Sequence, residues 1–438
     1  MKKLNILLSM NLILLFSVSA QMNIQKIDNS EKKLVIDSIT AILNRGYIFE
    51  DIGKKMTELI NSNFKAGLYN TIDDGMAFSN KLTEDLISVS KDKHLGVRFA
   101  PERIKEFKSS EKADPGTIEI QKRRNQMENY GFKELKIMPG NIGYLKFNGF
   151  DGSQEGFQIA NAAMNYLSNS DAIIFDLREN GGGSPEMIQL ISSYLFEGET
   201  QHLNSFYYRE LDQNTQTWTL PYVQGKRNPK CLVYILTSNY TFSAAEEFTY
   251  NLKNMKRATI VGETTGGGAH PVTFKLINDN FFMSLPFGRA INPITKTNWE
   301  GTGIEPHFKT TKEKALDAAY LDALNKLSEK EQNPEIKSFF NWAIEGLNAK
   351  QNPISLSETI LKSYVGKFGP RIISFENGNL YYQREGRPKF KMIPMMETYF
   401  ALEGMDTFRI KFIKEGKNII ALEGHYSDGN IDKNEKTK

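Results

Sequence analysis

The chain has 438 residues, enough for two or three domains of ordinary size. Hydrophobic residues make up 40% and charged residues 24%, which excludes a disordered or membrane-embedded chain. The 55 basic residues nearly balance the 52 acidic ones, and no Lys/Arg block stands out between the two ends, so nucleic acid is not an implied partner.

Residues 1–20 read as a secretory signal: Lys2 and Lys3, an apolar run from Leu4 to Val18, then small residues that place cleavage after Ala20. The run is broken by Asn5, Ser9 and Asn11 and falls short of the ~20 residues a membrane span needs. The expected location is therefore outside the cytoplasm, periplasmic or extracellular, with no membrane span after cleavage. Cys231 is the single cysteine, so no internal disulfide supports the fold, and at the head of an apolar strand it reads as a small buried hydrophobe.

Apolar residues at helical spacing, such as Leu34, Ile39, Ile42 and Leu43, predict a helical domain over 21–100. Residues 101–134 are strongly charged without a clear period and read as a linker or cover segment. From 135 to 330, strands at Ile142–Phe147, Ala172–Leu177, Leu232–Leu236 and Ala258–Val261 alternate with helices at 156–167, 185–195 and 244–252, the pattern of an α/β core. Asn333-Pro334 reads as a boundary, 335–426 as a helix followed by a small β-domain, and 427–438 as a disordered tail.

Ser243 stands where the strand ending at Leu236 gives way to a helix beginning at Ala244. A hydroxyl at such a junction is held rigidly, sits at a helix N-terminus and has a following backbone N–H free to donate, as a nucleophile requires. A serine that only caps the helix is the rival reading of this stretch. Asp176-Leu177-Arg178-Glu179-Asn180-Gly181-Gly182-Gly183 also lies between strand and capped helix, where three glycines let the backbone approach a ligand closely. That suits an anion site or an oxyanion hole, but the stretch lacks the ending of a P-loop. No Cys/His cluster has zinc spacing, and neither a metal nor another cofactor is expected. Glu246 and Glu247, in the first turn of the helix, read as structural complements to its dipole, and a salt bridge between Arg178 and Glu263 is one way of joining adjacent loops.

Three of these elements in order, Asp176 to Gly183, Thr241-Phe242-Ser243-Ala244-Ala245-Glu246 and Val261-Gly262-Glu263-Thr264-Thr265-Gly266-Gly267-Gly268, resemble the S41 peptidases. This family takes in the tail-specific processing proteases, the tricorn core protease and the interphotoreceptor retinoid-binding modules. Trp299-Glu300-Gly301-Thr302-Gly303-Ile304-Glu305-Pro306 and the helical segment ending at His94 extend the resemblance over about Asn44 to Leu327. It implies a crotonase-like (ClpP/crotonase) α/β core behind a helical N-terminal domain. The processing branch pairs its serine with a lysine in a Gly-Lys-Gly tail, and Gly267-Gly268-Ala269 stands there instead; 101–134 is also too short for that branch's PDZ domain. The resemblance is thus to the tricorn-like branch, which implies Ser243 as nucleophile, His94 as general base, Glu300 as its orienter, and N–H groups of Ala244 and of Gly182 or Gly183 as the oxyanion hole.

Lys93 stands where that branch has a second serine, with Ser90 close but not aligned. His270, between Ala269 and Pro271, competes with His94 for the base but reads as a loop residue. His202, His307 and His425 have no partner spacing and read as surface. The implied function is a serine peptidase acting on peptides or unfolded proteins. The alternative is a silent S41 fold that binds an apolar small molecule or peptide.

Overall fold

Three helices, α1 (Asn29–Gly46), α2 (Glu50–Lys65) and α3 (Gly75–Ser90), open the computed structural model, which describes residues 26–110 and 115–437. The predicted signal segment lies outside the described residues. Asp28 and Asp74 cap α1 and α3 by accepting the N–H groups of Glu31 and Ala77. The apolar stripes of the three helices meet in one core through Val35, Ile39, Met56, Ile60, Phe78 and Leu82. Lys91, in the left-handed region, ends α3 and turns the chain into β1 (Gly96–Phe99).

The charged segment read as a linker or cover forms two helices, α4 (Pro101–Ser110) and α5 (Pro115–Met127). Ile104 of α4 is buried while Ile120 and Met127 of α5 are exposed, and the charged sequence shows no clear period that would reveal the two helices.

The core follows as β2 (Phe132–Met138), β3 (Ile142–Phe147), α6 (Gln154–Tyr166), β4 (Ala172–Asp176), α7 (Pro185–Ser193), β5 (His202–Tyr208) and β6 (Gln213–Trp218). It continues through β7 (Leu232–Thr237), α8 (Ala244–Asn254), β8 (Thr259–Gly262), β9 (Val272–Leu276), β10 (Phe281–Pro286), β11 (Gly288–Ile291), β12 (Phe308–Lys309) and α9 (Lys312–Lys330). Six strands form the main sheet in the order β12-β8-β7-β4-β3-β2, all parallel except the edge strand β2. Every residue of β4 is buried, as expected for a parallel strand covered on both faces. Helices α6, α7 and α8 cover one face, and α9 covers the other. This is the predicted α/β layering. The loops after β4, β7 and β8 therefore emerge together at the carboxyl edge of the sheet, where open α/β sheets bind ligands.

Two smaller sheets frame that edge. In the order β1-β10-β9, β1 pairs with β10 and ties the helical unit to the core, with Val97, Phe281, Met283 and Leu285 completing the core of α1–α3. The other has the order β11-β5-β6.

At Asn333-Pro334 the predicted boundary is a helix start: Asn333 caps α10 (Pro334–Gln351), and Pro334 occupies its first turn. α10 joins both neighbours. Phe340 and Ala343 bury against Leu324 of α9, while the indole N–H of Trp342 donates to Asp406 O at 2.7 Å and the Arg409 guanidinium lies 3.7 Å from the Trp342 ring centre. After α11 (Glu358–Ser363), strands β13 (Gly366–Phe368), β14 (Arg371–Glu376), β15 (Asn379–Arg384), β16 (Lys389–Met396), β17 (Tyr399–Leu402), β18 (Met405–Glu415), β19 (Asn418–Tyr426) and β20 (Ile431–Glu435) pair antiparallel in chain order. A bridge from Phe368 to Lys436 and a 2.8 Å bond from Thr437 N to Lys367 O close this sheet into a barrel filled by Tyr364, Phe368, Phe400 and Phe412.

The tail predicted to be disordered is thus the closing strand. Main-chain pairing needs no apolar sequence, and Asp432 adds a 2.6 Å ion pair to the buried Arg371. No helix among the described residues is long and apolar enough to cross a membrane.

Candidate active site

Ser243 sits between β7 and α8 with φ +55° and ψ −123°, a conformation that costs a non-glycine residue ~1–3 kcal/mol. The loop before it is bolted to the neighbouring glycine loop: Thr241 Oγ1 donates to Leu177 O at 2.7 Å, and Phe242 N to Asn180 O at 3.1 Å. Glu246, fully buried, locks the turn from the other side. Its carboxylate accepts the N–H groups of Ser243 (3.0 Å), Gly267 (2.7 Å) and Gly268 (2.8 Å) and the hydroxyl of Thr265. Its role is structural, as predicted, but it is a fastening between two loops, more than a complement to the helix dipole.

The structure separates the two glycines proposed for the oxyanion hole. Gly182 N–H donates to the buried Asn180 side chain at 2.9 Å and is already committed. What Gly182 supplies is space, because a Cβ there would fall 2.8 Å from Ser243 Cβ and 2.9 Å from Ala244 N. Gly183 bridges Phe150, with Phe150 N donating to Gly182 O and Ser184 N to Phe150 O. That pattern turns the N–H of Gly183 away from Phe150. Among the described residues, neither Gly183 N–H nor Ala244 N–H has a protein acceptor.

The imidazole of His94 packs on Phe242, 4.5 Å between ring centres, and against Gly268, where a Cβ would come within 2.5 Å of His94 Cε1. Ser284 holds its backbone by donating to His94 O at 2.7 Å. Both ring nitrogens are buried without partners, and burial pushes the pKa down to about 4, so the ring is neutral at neutral pH. Glu300 Oε2 accepts the N–H of Ala269 at 2.6 Å and lies 3.5 Å from His270 Nδ1, while Oε1 is buried and unpartnered. Burial, reinforced by the charge of Asp92, pushes the Glu300 pKa up to about 7. Ser243 and His94 thus share Phe242 and the Gly268 loop, and Glu300 joins through Ala269. No hydrogen bond among the described residues links His94 to Ser243 or Glu300.

Two family models match the chain in sequence order: the N-terminal domain of Peptidase_S41 in eukaryotic IRBP over residues 22–133, and Peptidase family S41 over 141–310. The chain belongs to peptidase family S41. Its N-terminal unit is of the IRBP type and, by that match, takes in the charged helices α4 and α5. The tail-specific protease of Haemophilus influenzae is 30% identical over 103 residues, which are 22% of this S41 chain and 13% of that protein. The photosystem II D1 C-terminal processing protease aligns with a TM-score of 0.43 at 14% identity, covering 65% of this chain and 94% of that one. The tricorn protease aligns with a TM-score of 0.42 at 14% identity, covering 72% of this chain and 37% of that one.

Several residues around the candidate site make contacts that the sequence did not disclose, and Asp92 was not singled out there. His270, predicted to be a loop residue, is buried and meets Asp92 through Nδ1 at 2.6 Å. Asp92, His270 and Glu300 place ligand-type atoms within 4.8 Å of one another, and the His270–Asp92 hydrogen bond accounts for much of that clustering. Lys93 points elsewhere, its ammonium donating to Gly266 O, and Ser90 Oγ accepts the N–H of Asp92. Arg178 pairs with the buried Asp176, not with Glu263, which accepts the N–H groups of Asn239 and Lys312 instead.

Glu247, four residues after Ser243 on α8 in this S41 chain, is 5% exposed. Its Oε1 and the Nδ2 atoms of the buried Asn204 and Asn251 lack hydrogen-bond partners. Burial pushes the Glu247 pKa up to about 7. The folded state then holds a proton that the unfolded chain releases above its own pKa of about 4.3, so stability falls as pH rises between those values. Glu247→Gln is expected to raise stability by ~1–3 kcal/mol at pH 8.5 and by little at pH 4.5. Denaturant melts at both pH values check this, and an equal effect at both would contradict a buried titrating carboxyl.

Proposed function

We propose that this chain is an exported serine peptidase that hydrolyses peptide bonds in peptides or unfolded proteins. The observation that carries the proposal is the turn at Ser243: a non-glycine residue at positive φ heads a helix, beside two backbone N–H groups, Ala244 and Gly183, without protein acceptors. Ser243 Oγ attacks the scissile carbonyl while His94, neutral and desolvated, takes its proton. The two N–H groups receive the oxyanion, a stabilisation of roughly 3–4 kcal/mol per donor in comparable hydrolases. His94 returns the proton to the leaving amine, and water then releases the acyl group by the same path. Glu300, with Oε1 unpartnered, orients the imidazole and offsets its charge as it protonates. Catalytic hydrogen bonds commonly tighten only in the substrate complex, where the bond from Ser243 to His94 is expected to form. Export to the periplasm or beyond the cell rests on the pattern of residues 1–20.

One observation favours the second reading, a silent fold that binds an apolar small molecule or peptide: His94 has no hydrogen bond to Ser243 or Glu300. A fluorophosphonate probe decides between them. An adduct on Ser243 in the folded protein, followed by turnover of a peptide library, supports the peptidase; a folded protein that takes up no probe and cuts no peptide refutes it.

A further inference from the structure

We propose that His270 and Asp92 act as a positioning pair that holds the His94 turn against the loop carrying Glu300. The inference rests on the peptidase reading for its catalytic consequence, but its geometry stands apart from it. Asp92 belongs to the turn after α3 in the helical unit, and His270 to the loop between β8 and β9 in the core. They are 178 residues apart and meet at 2.6 Å with both side chains at least 96% buried.

The two carboxylate oxygens of Asp92 divide the work. Oδ2 meets His270 Nδ1, and Oδ1 accepts the backbone N–H of His94 at 2.9 Å. A carboxylate only accepts, so the proton lies on Nδ1 of His270. That same nitrogen is 3.5 Å from Glu300 Oε2, whose nearer partner is the N–H of Ala269, the residue before His270. One imidazole therefore stands between two carboxylates, one fixing the main chain of the general base and the other belonging to its orienter.

The groups facing this cluster are the Tyr47 phenol, the His94 ring and, behind the glycine loop, Glu246. Among the described residues no lysine or arginine pairs with Asp92 or Glu300, and Lys93 is turned to Gly266 O. The edge of Phe49, 5.5 Å between ring centres, packs on His270. Without the imidazole, Asp92 loses its side-chain partner across the interface and two carboxylates face each other unbuffered. The His94 turn then loosens, and Glu300 becomes harder to ionise. His270 touches no reacting atom in this scheme, so it is a positioning residue and not the base.

The test compares the mature protein with His270→Ala, His270→Asn and His94→Ala. Fluorophosphonate labelling and peptide turnover are followed from pH 5 to 9, alongside hydrogen exchange of the peptide spanning residues 90–97. Asn places an N–H close to where Nδ1 stood and keeps the bond to Asp92. Expected for His270→Ala is a kcat about 10²-fold lower with KM little changed, as for a catalytic group displaced by ~1 Å. Its acid limb moves to higher pH, the 90–97 amides exchange faster, and His270→Asn recovers much of the rate and the protection.

Wild-type rate, pH profile and exchange in a folded His270→Ala would overturn the pairing. So would labelling that survives His94→Ala and vanishes in both His270 variants, since His270 would then be the base. Failure of the wild type to label refutes the peptidase reading, and the exchange measurement still decides the pair: unchanged protection in His270→Asn and His270→Ala refutes it. If His270→Ala does not fold, His270→Phe, which fills the space but offers Asp92 no N–H, takes its place in the same comparison.

Discussion

Ser243→Ala is expected to lower peptide turnover by on the order of 10⁴–10⁶-fold and to abolish fluorophosphonate labelling, with stability changed by no more than about 0.5 kcal/mol. The expectation of a large kinetic effect follows from the proposed chemistry: without Oγ no acyl-enzyme forms, and what remains is stabilisation by the oxyanion donors and substrate binding. The small stability effect follows from the way the turn is held. Glu246 grips the backbone N–H of Ser243, while Thr241 and Phe242 anchor the preceding loop to Leu177 and Asn180. None of these bonds involves the Ser243 side chain. Alanine has the same Cβ, meets the same strain at φ +55° and keeps the contact with Gly182. Retained turnover in a folded Ser243→Ala would remove the serine mechanism. A large loss of stability would show instead that the hydroxyl is a helix cap, the plainer reading of the same position.

The parts of the site that were legible in the sequence are those built by neighbouring residues. The runs that became β4 and β7 are uninterrupted and apolar because both faces of a parallel sheet are covered, and each leads directly into a glycine or serine turn and a helix. Ser243, Ala244 and the Gly181–Gly183 stretch could therefore be placed from local pattern. What the sequence did not disclose depends on long-range pairing. Asp92 and His270 meet across 178 residues, and Glu246 joins loops whose partners lie up to 22 residues away; no periodicity records either. β6 was missed because it is polar and largely exposed, and β20 because its pairing is main-chain bonding along a polar segment. At Asn333-Pro334 the signal was local again: a cap followed by proline marks the start of α10, the helix expected directly after that boundary.

The pH dependence separates Glu300 from His94 and yields the other large effect. Catalysis as proposed requires His94 neutral and Glu300 ionised. Burial works on the two in opposite directions, holding His94 down to about 4 and Glu300 up to about 7. On lowering the pH, Glu300 therefore takes up its proton first, well before the imidazole does. Activity is expected to be full above about pH 8 and to fall through about pH 7, and that limb belongs to Glu300. Glu300→Gln tests the assignment. The amide can still accept the N–H of Ala269 through its oxygen, so the loop keeps its anchor. It cannot offset the charge of a protonated His94, and the loss is expected to be on the order of 10²–10⁴-fold at pH 8. The activity that remains should no longer fall through pH 7, leaving only the limb at about pH 4 that reports His94. A limb that stayed near pH 7 in Glu300→Gln would belong to another group. If the neutral variant also lost little activity, Glu300 would be a loop fastening in this chain, and the orienter of His94 would have to be sought in Asp92.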